Sequence, residues 1–159
     1  MPRKKTKSLQ RKLNGDRIYN SAQVQRLINK SMLDGKKQLA ERQVYEALEI
    51  AAKKLKLENP LELFEAAMKN ITPNVEVKSR RVGGANYQIP FPISGHRAQH
   101  YAFMWLVQAA RAKKGMPYNQ RLAAELADAY NQAGAAFKKK EDTHKMAEAN
   151  RAFAHFARG

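Results

Sequence analysis

Residues 72–92 read TPNVEVKSRRVGGANYQIPFP, and the period of this stretch decides the fold. Before it, apolar residues recur every three or four positions. Within it they alternate, with Val75 and Val77 opposed to Glu76 and Lys78, and Tyr87, Ile89 and Phe91 opposed to Asn86 and Gln88. Between the two runs, Arg81-Val82-Gly83-Gly84-Ala85 supplies adjacent glycines that tolerate positive φ, so the stretch predicts strand, turn, strand. Pro90 and Pro92 have no N–H to donate, which fits a ribbon whose two strands are both edges. A lone two-stranded ribbon is marginal in water, so this arm, at about residues 74–92, is expected to lean on helices or on a ligand.

Outward from the arm the pattern is helical on both sides. Val24, Leu27, Ile28 and Met32 mark a first helix closed by Asp34-Gly35, and Lys36-Lys37 opens a second with the stripe Leu39, Val44, Ala47, Leu48, Ala51 and Leu55. Asn59-Pro60-Leu61-Glu62 reads as N-cap, proline at the first helical position and an acidic third position, starting a third helix through Leu61, Phe64, Met68 and Ile71. Beyond Ser94-Gly95 a fourth helix carries Tyr101, Ala102, Trp105, Leu106 and Ala109 to Lys113-Lys114-Gly115. A fifth runs from Pro117 to Gly134. The last is expected to begin near Asp142-Thr143 and to bury Met146 and Phe153. The fold class is therefore mainly α: a single domain of about six helices over residues 16–159, with a β-hairpin arm between the third and fourth, preceded by a basic flexible extension over residues 1–15.

The chain has 159 residues, with 30 Lys and Arg against 14 Asp and Glu, a formal charge of +16. A compact fold so charged repels itself unless a polyanion neutralises it, so nucleic acid or an acidic surface is the expected partner. The longest apolar run, Ala102–Val107, is far below the roughly 18 residues of a membrane-spanning helix. No apolar segment follows the basic start, as a secretory signal would require, and a cytoplasmic location is expected. Cysteine is absent, which removes disulfides, thiolate metal sites and cysteine nucleophiles. His96 and His100 stand four apart, but no cysteine, acidic cluster or intervening glutamate completes a metal site, so neither metal nor cofactor is expected. No phosphate-loop, dinucleotide or serine-hydrolase motif occurs, and the chain is not expected to be an enzyme.

The cations recur at predicted element boundaries. They comprise Arg3, Lys4, Lys5, Lys7, Arg11 and Lys12 in the tail, Lys36 and Lys37, Lys78, Arg80 and Arg81, Arg111, Lys113 and Lys114, and Lys138, Lys139 and Lys140 with Lys145. Few acids stand near them, so they are expected to remain unpaired inside the fold. Glu141-Asp142 is the exception, with an alternative use at a helix N-terminus. Arg80 and Arg81 beside a glycine turn suit a groove, since arginine holds phosphate bidentately or stacks on bases. Most aromatic rings read as core, whereas Tyr87 and Tyr118, beside turns and basic residues, could stack on a base. The rival class is an architectural DNA-binding protein, which also combines a helical body with basic ribbons.

VEVKSRRVGGANYQIP (residues 75–90), DGKKQLAERQVYEAL (34–48), RLAAELADA (121–129) and AAFKKKEDTHKMAEANRAFAH (135–155) closely resemble, in order, blocks of the bacterial-type small-subunit ribosomal protein number seven family. The resemblance covers essentially the whole chain. It implies a helical domain with a β-ribbon arm that binds the 3′ major domain of small-subunit rRNA, nucleates assembly of the head and lies at the exit site near tRNA and mRNA, beside small-subunit proteins eleven and nine. It carries rRNA contact to the tail cations, Lys36, Lys37, Lys78, Arg80, Arg81, Arg111, Lys113, Lys114 and Lys138 to Lys140, and exit-site proximity to Val82, Gly83, Gly84, Ala85, Lys145 and Arg151. SGHRAQHYAFMW (94–105) departs from the family in being less basic, with Ala98 and Met104 uncharged, which leaves Arg97 as that helix's expected phosphate contact. A ribosome-bound location in the cytoplasm follows. Deleting residues 1–14 is expected to weaken RNA binding and to leave the helical circular-dichroism signal intact; loss of that signal would mean that the tail belongs to the core.

Overall fold

The computed structural model describes residues 13–158, so the basic tail before Leu13 lies outside the described residues. Six α-helices, one two-stranded sheet and a C-terminal 3₁₀ helix follow in order: α1 (Ala22–Ser31), α2 (Lys37–Leu55), α3 (Pro60–Ile71), β1 (Val75–Val82), β2 (Ala85–Pro92), α4 (Gly95–Ala112), α5 (Tyr118–Tyr130), α6 (Gly134–Ala149) and the 3₁₀ segment Arg151–Arg158. The mainly helical class and the position of the hairpin agree with the sequence.

Helix α5 is central, packing against α2, α3, α4 and α6. Leu122, Leu126 and Ala129 on it are fully buried, and Ala123 and Ala127 nearly so. These small residues let neighbouring helices approach closely. Val24, Leu27 and Ile28 of α1, Val44, Leu48 and Ala51 of α2, Phe64, Ala67 and Ile71 of α3, and Leu106 of α4 complete one cluster.

Polar side chains close the helix ends. Asn59 accepts from the Leu61 amide at 3.0 Å and Pro60 occupies the first position, as the motif at the start of α3 requires. Asn70 of α3 donates to the Ala129 and Tyr130 carbonyls at 3.1 and 3.0 Å, covering the end of α5. After α5, Gln132 takes φ +56, its amide reaches the Ala129 carbonyl and that of Ala133 the Asp128 carbonyl, a Schellman stop without glycine.

Three expectations change. The last helix begins at Gly134 rather than near Asp142, so Lys138–Lys140 and Glu141-Asp142 lie within α6 and not at a boundary. The signal was hidden because α6 buries only the small residues Ala136 and Ala147, three turns apart. In that frame Met146 is off the buried line and is 50% exposed, while Phe153 falls in the 3₁₀ segment and packs on the arm. Leu39, one position off the buried line of Ala40, Val44, Ala47 and Ala51, is 48% exposed.

The start of α6 is sterically closed. Gly134 has φ +89, and a Cβ there would lie 2.9 Å from both Asp128 Cβ and Glu125 Oε1. Gly84 also has positive φ but open space around it. Gly134→Ala is therefore expected to cost about 2–4 kcal/mol, from backbone strain plus overpacking, and Gly84→Ala only about 1 kcal/mol. Chemical denaturation of the two variants checks the difference, and equal destabilisation would remove the steric component.

Candidate nucleic-acid interface

The arm is built as its sequence demands. Val82 pairs with Ala85 across Gly83-Gly84, both at positive φ (+57 and +91), the pattern of a two-residue type I′ turn whose twist matches the strands. Eight residues per strand give a ribbon of about 27 Å. Its tip is exposed, and from Lys78 to Gln88 it carries no carboxylate.

The root is held by a charge that alternation alone would have turned outward. Glu76 is only 5% exposed. Its Oε1 lies 2.8 Å from Lys78 Nζ, and its Oε2 accepts from Arg97 Nε and from the Tyr101 hydroxyl at 3.2 Å. Burial alone would raise the Glu76 pKa, but the bonds from Lys78, Arg97 and Tyr101 outweigh it and hold the carboxyl below its ordinary value. Arg97 also donates to Tyr101 at 3.0 Å and lies over its ring, while Tyr101 stacks on Trp105. One carboxylate thus orients Lys78 of the arm and Arg97 of α4 together.

Further out, the 3₁₀ segment braces β2. Phe153 and Phe156 lie 5.1 and 5.5 Å from the Tyr87 ring, and Arg80 donates to the Phe156 carbonyl at 3.1 Å. Tyr87 therefore serves the brace. Tyr118 differs: its hydroxyl is fixed 2.8 Å from Ser31 Oγ, but the residue lines an open cleft.

The remaining nominated cations fall into two groups. Lys36, Lys37, Arg81, Arg111, Lys114, Lys138, Lys139, Lys145 and Arg151 are exposed. Of these, Lys37 and Arg151 make only peripheral pairs, at 3.7 Å to Glu41 and 3.4 Å to Glu148, of the kind worth little in solvent. Lys113 and Lys140 are turned inward. Lys113 lies 2.9 Å from both Glu125 and Asp128, and Lys140 donates to the Asn70 carbonyl at 2.6 Å. Burial would lower the Lys113 pKa, but those two acids outweigh it and raise it. The expectation that these clusters lack internal partners thus fails for Lys78, which pairs with Glu76 two residues before it on the same face of β1, and for Lys113, whose acids come from α5. Val82 is half-buried, and Gly83, Gly84 and Ala85 are exposed at the tip.

The helix starts are also unusual. Only α3 has both a cap from its own N-cap side chain and an acid in its first turn; α5 and α6 borrow Gln43 and Glu125 from elsewhere to bond the Asn119 and Ala136 amides, and α1, α2 and α4 have neither device. Lys36 and Lys37 at the start of α2 oppose the helix dipole, at a cost of about 0.3–1 kcal/mol each, which a bound anion would reverse.

Sequence reasoning missed a second basic surface. Between α1 and α4, Arg26, Lys30, His96 and His100 line an open cleft of about 350 Å³ with no carboxylate in its wall. Burial, then Lys30, Arg97 and His96, lower the His100 pKa, a deficit that an anion would relieve. The available signal was Arg26 and Lys30, four apart on the polar face of α1. No group of three His, Cys, Asp or Glu suited to a metal occurs among the described residues.

The family model described as ribosomal protein S7p/S5e matches residues 2–151. The chain is 56% identical over 143 residues to small ribosomal subunit protein uS7 of Chloroflexus aggregans, covering 90% of each chain. It is 55% identical to uS7 of Natranaerobius thermophilus, over 92% of this chain and 93% of the relative. The counterpart in Herpetosiphon aurantiacus is 49% identical over 158 residues, 99% of both.

Glu76 generates a pH test. Its folded pKa is below its ordinary 4.5, so its contribution to stability is complete above that value and is lost as pH falls through the folded pKa. Glu76→Gln is expected to cost about 1–3 kcal/mol at pH 7 and to flatten the loss of stability as pH falls below 4.5. Denaturant titrations across that range check the slope. A slope as steep as the wild type's would show that Glu76 is not held by these partners.

Proposed function

Because this chain belongs to the ribosomal protein S7p/S5e family, we propose that it is a structural RNA-binding component of the small ribosomal subunit. It binds the 3′ major domain of the rRNA, nucleates assembly of the head and lies at the exit site near tRNA and mRNA. The coarse part, a ribosome-bound small-subunit protein that binds rRNA and catalyses nothing, follows from family membership. The finer part rests on the resemblance of the hairpin and helical blocks. No helix among the described residues is long and apolar enough to cross a membrane.

One observation carries the RNA reading in physical terms: a projecting ribbon that displays Lys78, Arg80 and Arg81 with no acid from Lys78 to Gln88, fixed at its root to Arg97. Neutralising phosphates releases condensed counterions, and that release supplies affinity. The shape of a folded RNA junction supplies specificity, since a rigid arm at a fixed angle to a basic helical body accepts few backbone paths. Lys36, Lys37, Lys78, Arg80, Arg81, Arg97, Arg111, Lys114, Lys138 and Lys139, with the basic tail, meet phosphates. Lys113 and Lys140, already engaged by the chain, hold the surface that presents them. Val82–Ala85 at the tip, with Lys145 and Arg151, face the exit site, and proteins eleven and nine are the neighbours.

A salt-titrated competition tests this reading. The protein is expected to prefer a 3′-major-domain rRNA fragment over an unrelated folded RNA and duplex DNA, and to keep that preference as salt rises. Equal binding to all three, collapsing together, would favour the DNA-architectural class. Arg80→Ala with Arg81→Ala is expected to shallow the log–log salt slope by up to about 0.7–0.9 for each phosphate that the variant no longer neutralises.

A further inference from the structure

We propose that the cleft formed by the α1–α2 turn, the end of α4 and the start of α5 is a subsite for one unstacked RNA base, a finer reading that rests on the RNA-binding role. The cleft holds about 510 Å³, and its apolar part is made by Leu33, Leu39 and Tyr118. Leu33 is 61% exposed and Leu39 48% exposed. Neither is merely loose on the surface. Asp34 and Gly35 both adopt positive φ (+51 and +71), and the Lys36 amide donates to the Leu33 carbonyl at 2.9 Å, so a closed two-residue turn holds Leu33 outward. Leu39 lies in the first turn of α2, and the Tyr118 hydroxyl is fixed on Ser31. Large apolar side chains held into water by rigid backbone expose area that a ligand would cover.

The rim identifies the ligand. Lys36, Arg111 and Arg121 stand around the apolar part against one carboxylate, Asp34. Arg121 is anchored by donating to the Arg111 and Lys113 carbonyls at 3.3 and 2.7 Å, which keeps its charge beside the Tyr118 ring, 6.0 Å from the centroid. An apolar slot ringed by cations, one of them anchored, matches a flat ring flanked by phosphates. A base in a duplex cannot enter it, whereas one splayed from a loop or junction can, burying its face on Leu33, Leu39 and Tyr118 while its neighbouring phosphates meet Lys36 and Arg111.

The test uses the full chain carrying Leu33→Gln and Leu39→Gln, both exposed positions where folding is checked by circular dichroism. Binding is measured to a mixed-sequence single-stranded RNA, to a fully paired RNA duplex and to the rRNA fragment. The double variant is expected to lose about ten-fold in affinity for the single strand and the fragment, with an unchanged salt slope and unchanged duplex binding. One nucleotide of the fragment should regain base-specific chemical reactivity. Unchanged single-strand affinity overturns the subsite, as does an equal drop in affinity for the duplex. So does capture of an acidic, apolar-rich peptide that the double variant abolishes while RNA binding persists, which would assign the cleft to a protein. Failure of the role itself reads differently: the wild type would then show no preference for the fragment, whatever the variant does to the single strand.

Discussion

The fully buried carboxylate of Glu125 is the point on which the helical body turns. Through Oε2 it meets Lys113 just beyond α4, and through Oε1 it accepts the Ala136 amide at 2.8 Å in the first turn of α6. Three helices are thereby registered by one side chain, and Gly134 leaves the space that this approach needs. An ion buried this deeply is unfavourable without partners, and removing one of them would leave a charge stranded in the core. Helix α6 in turn packs on β1, and the His144 imidazole accepts the Asn74 amide at 3.2 Å at the entry to the arm. The angle of the arm thus depends on a carboxylate in a different helix.

The same logic governs the charge of the whole molecule. Four carboxylates, those of Asp16, Glu41, Glu76 and Glu125, are buried, and no Lys or Arg among the described residues is. Asp16 gathers the amides of Ile18, Tyr19 and Ser21 and the Tyr45 hydroxyl, and those bonds hold its pKa below the ordinary value although burial pushes it up. These four of the 14 acids work inside, where Asp16 sets a loop and Glu76 and Glu125 orient cations, and the cations themselves remain outside. Such a surface suits a polyanion better than an even scatter of both signs would. The starts of α2 and α4, which no side chain caps, fit the same division, since local stability is given up where an anion can complete the helix end.

Much of this was legible in the sequence, element by element. The hairpin followed from alternation around Gly83-Gly84, and α3 from Asn59-Pro60 with Glu62, because each is a local code in which neighbouring residues satisfy one another's backbone. The start of α6 was illegible for the converse reason: Ala136 and Ala147 give no hydrophobic signal, and the cap of that helix comes from Glu125, eleven residues before Ala136. The candidate site divides in the same way. Exposed cations such as Lys36, Arg81 and Lys138 could be nominated from composition alone, whereas Arg26 and Lys30 gain their roles from α4, and Glu76 is buried by Arg97 and Tyr101 of that helix as well as by nearby Lys78.

The sequence by itself determined the helical class, the arm between α3 and α4, the net charge of +16 and the family. Each of these is a property of residue type and short-range spacing. The tertiary structure alone decided which cations are available to a ligand. Lys113 and Lys114 are adjacent and chemically identical, yet the first lies between Glu125 and Asp128 while the second is exposed. A charge's availability is set by the distance to opposite charges brought near by folding, and that distance is not a function of sequence separation.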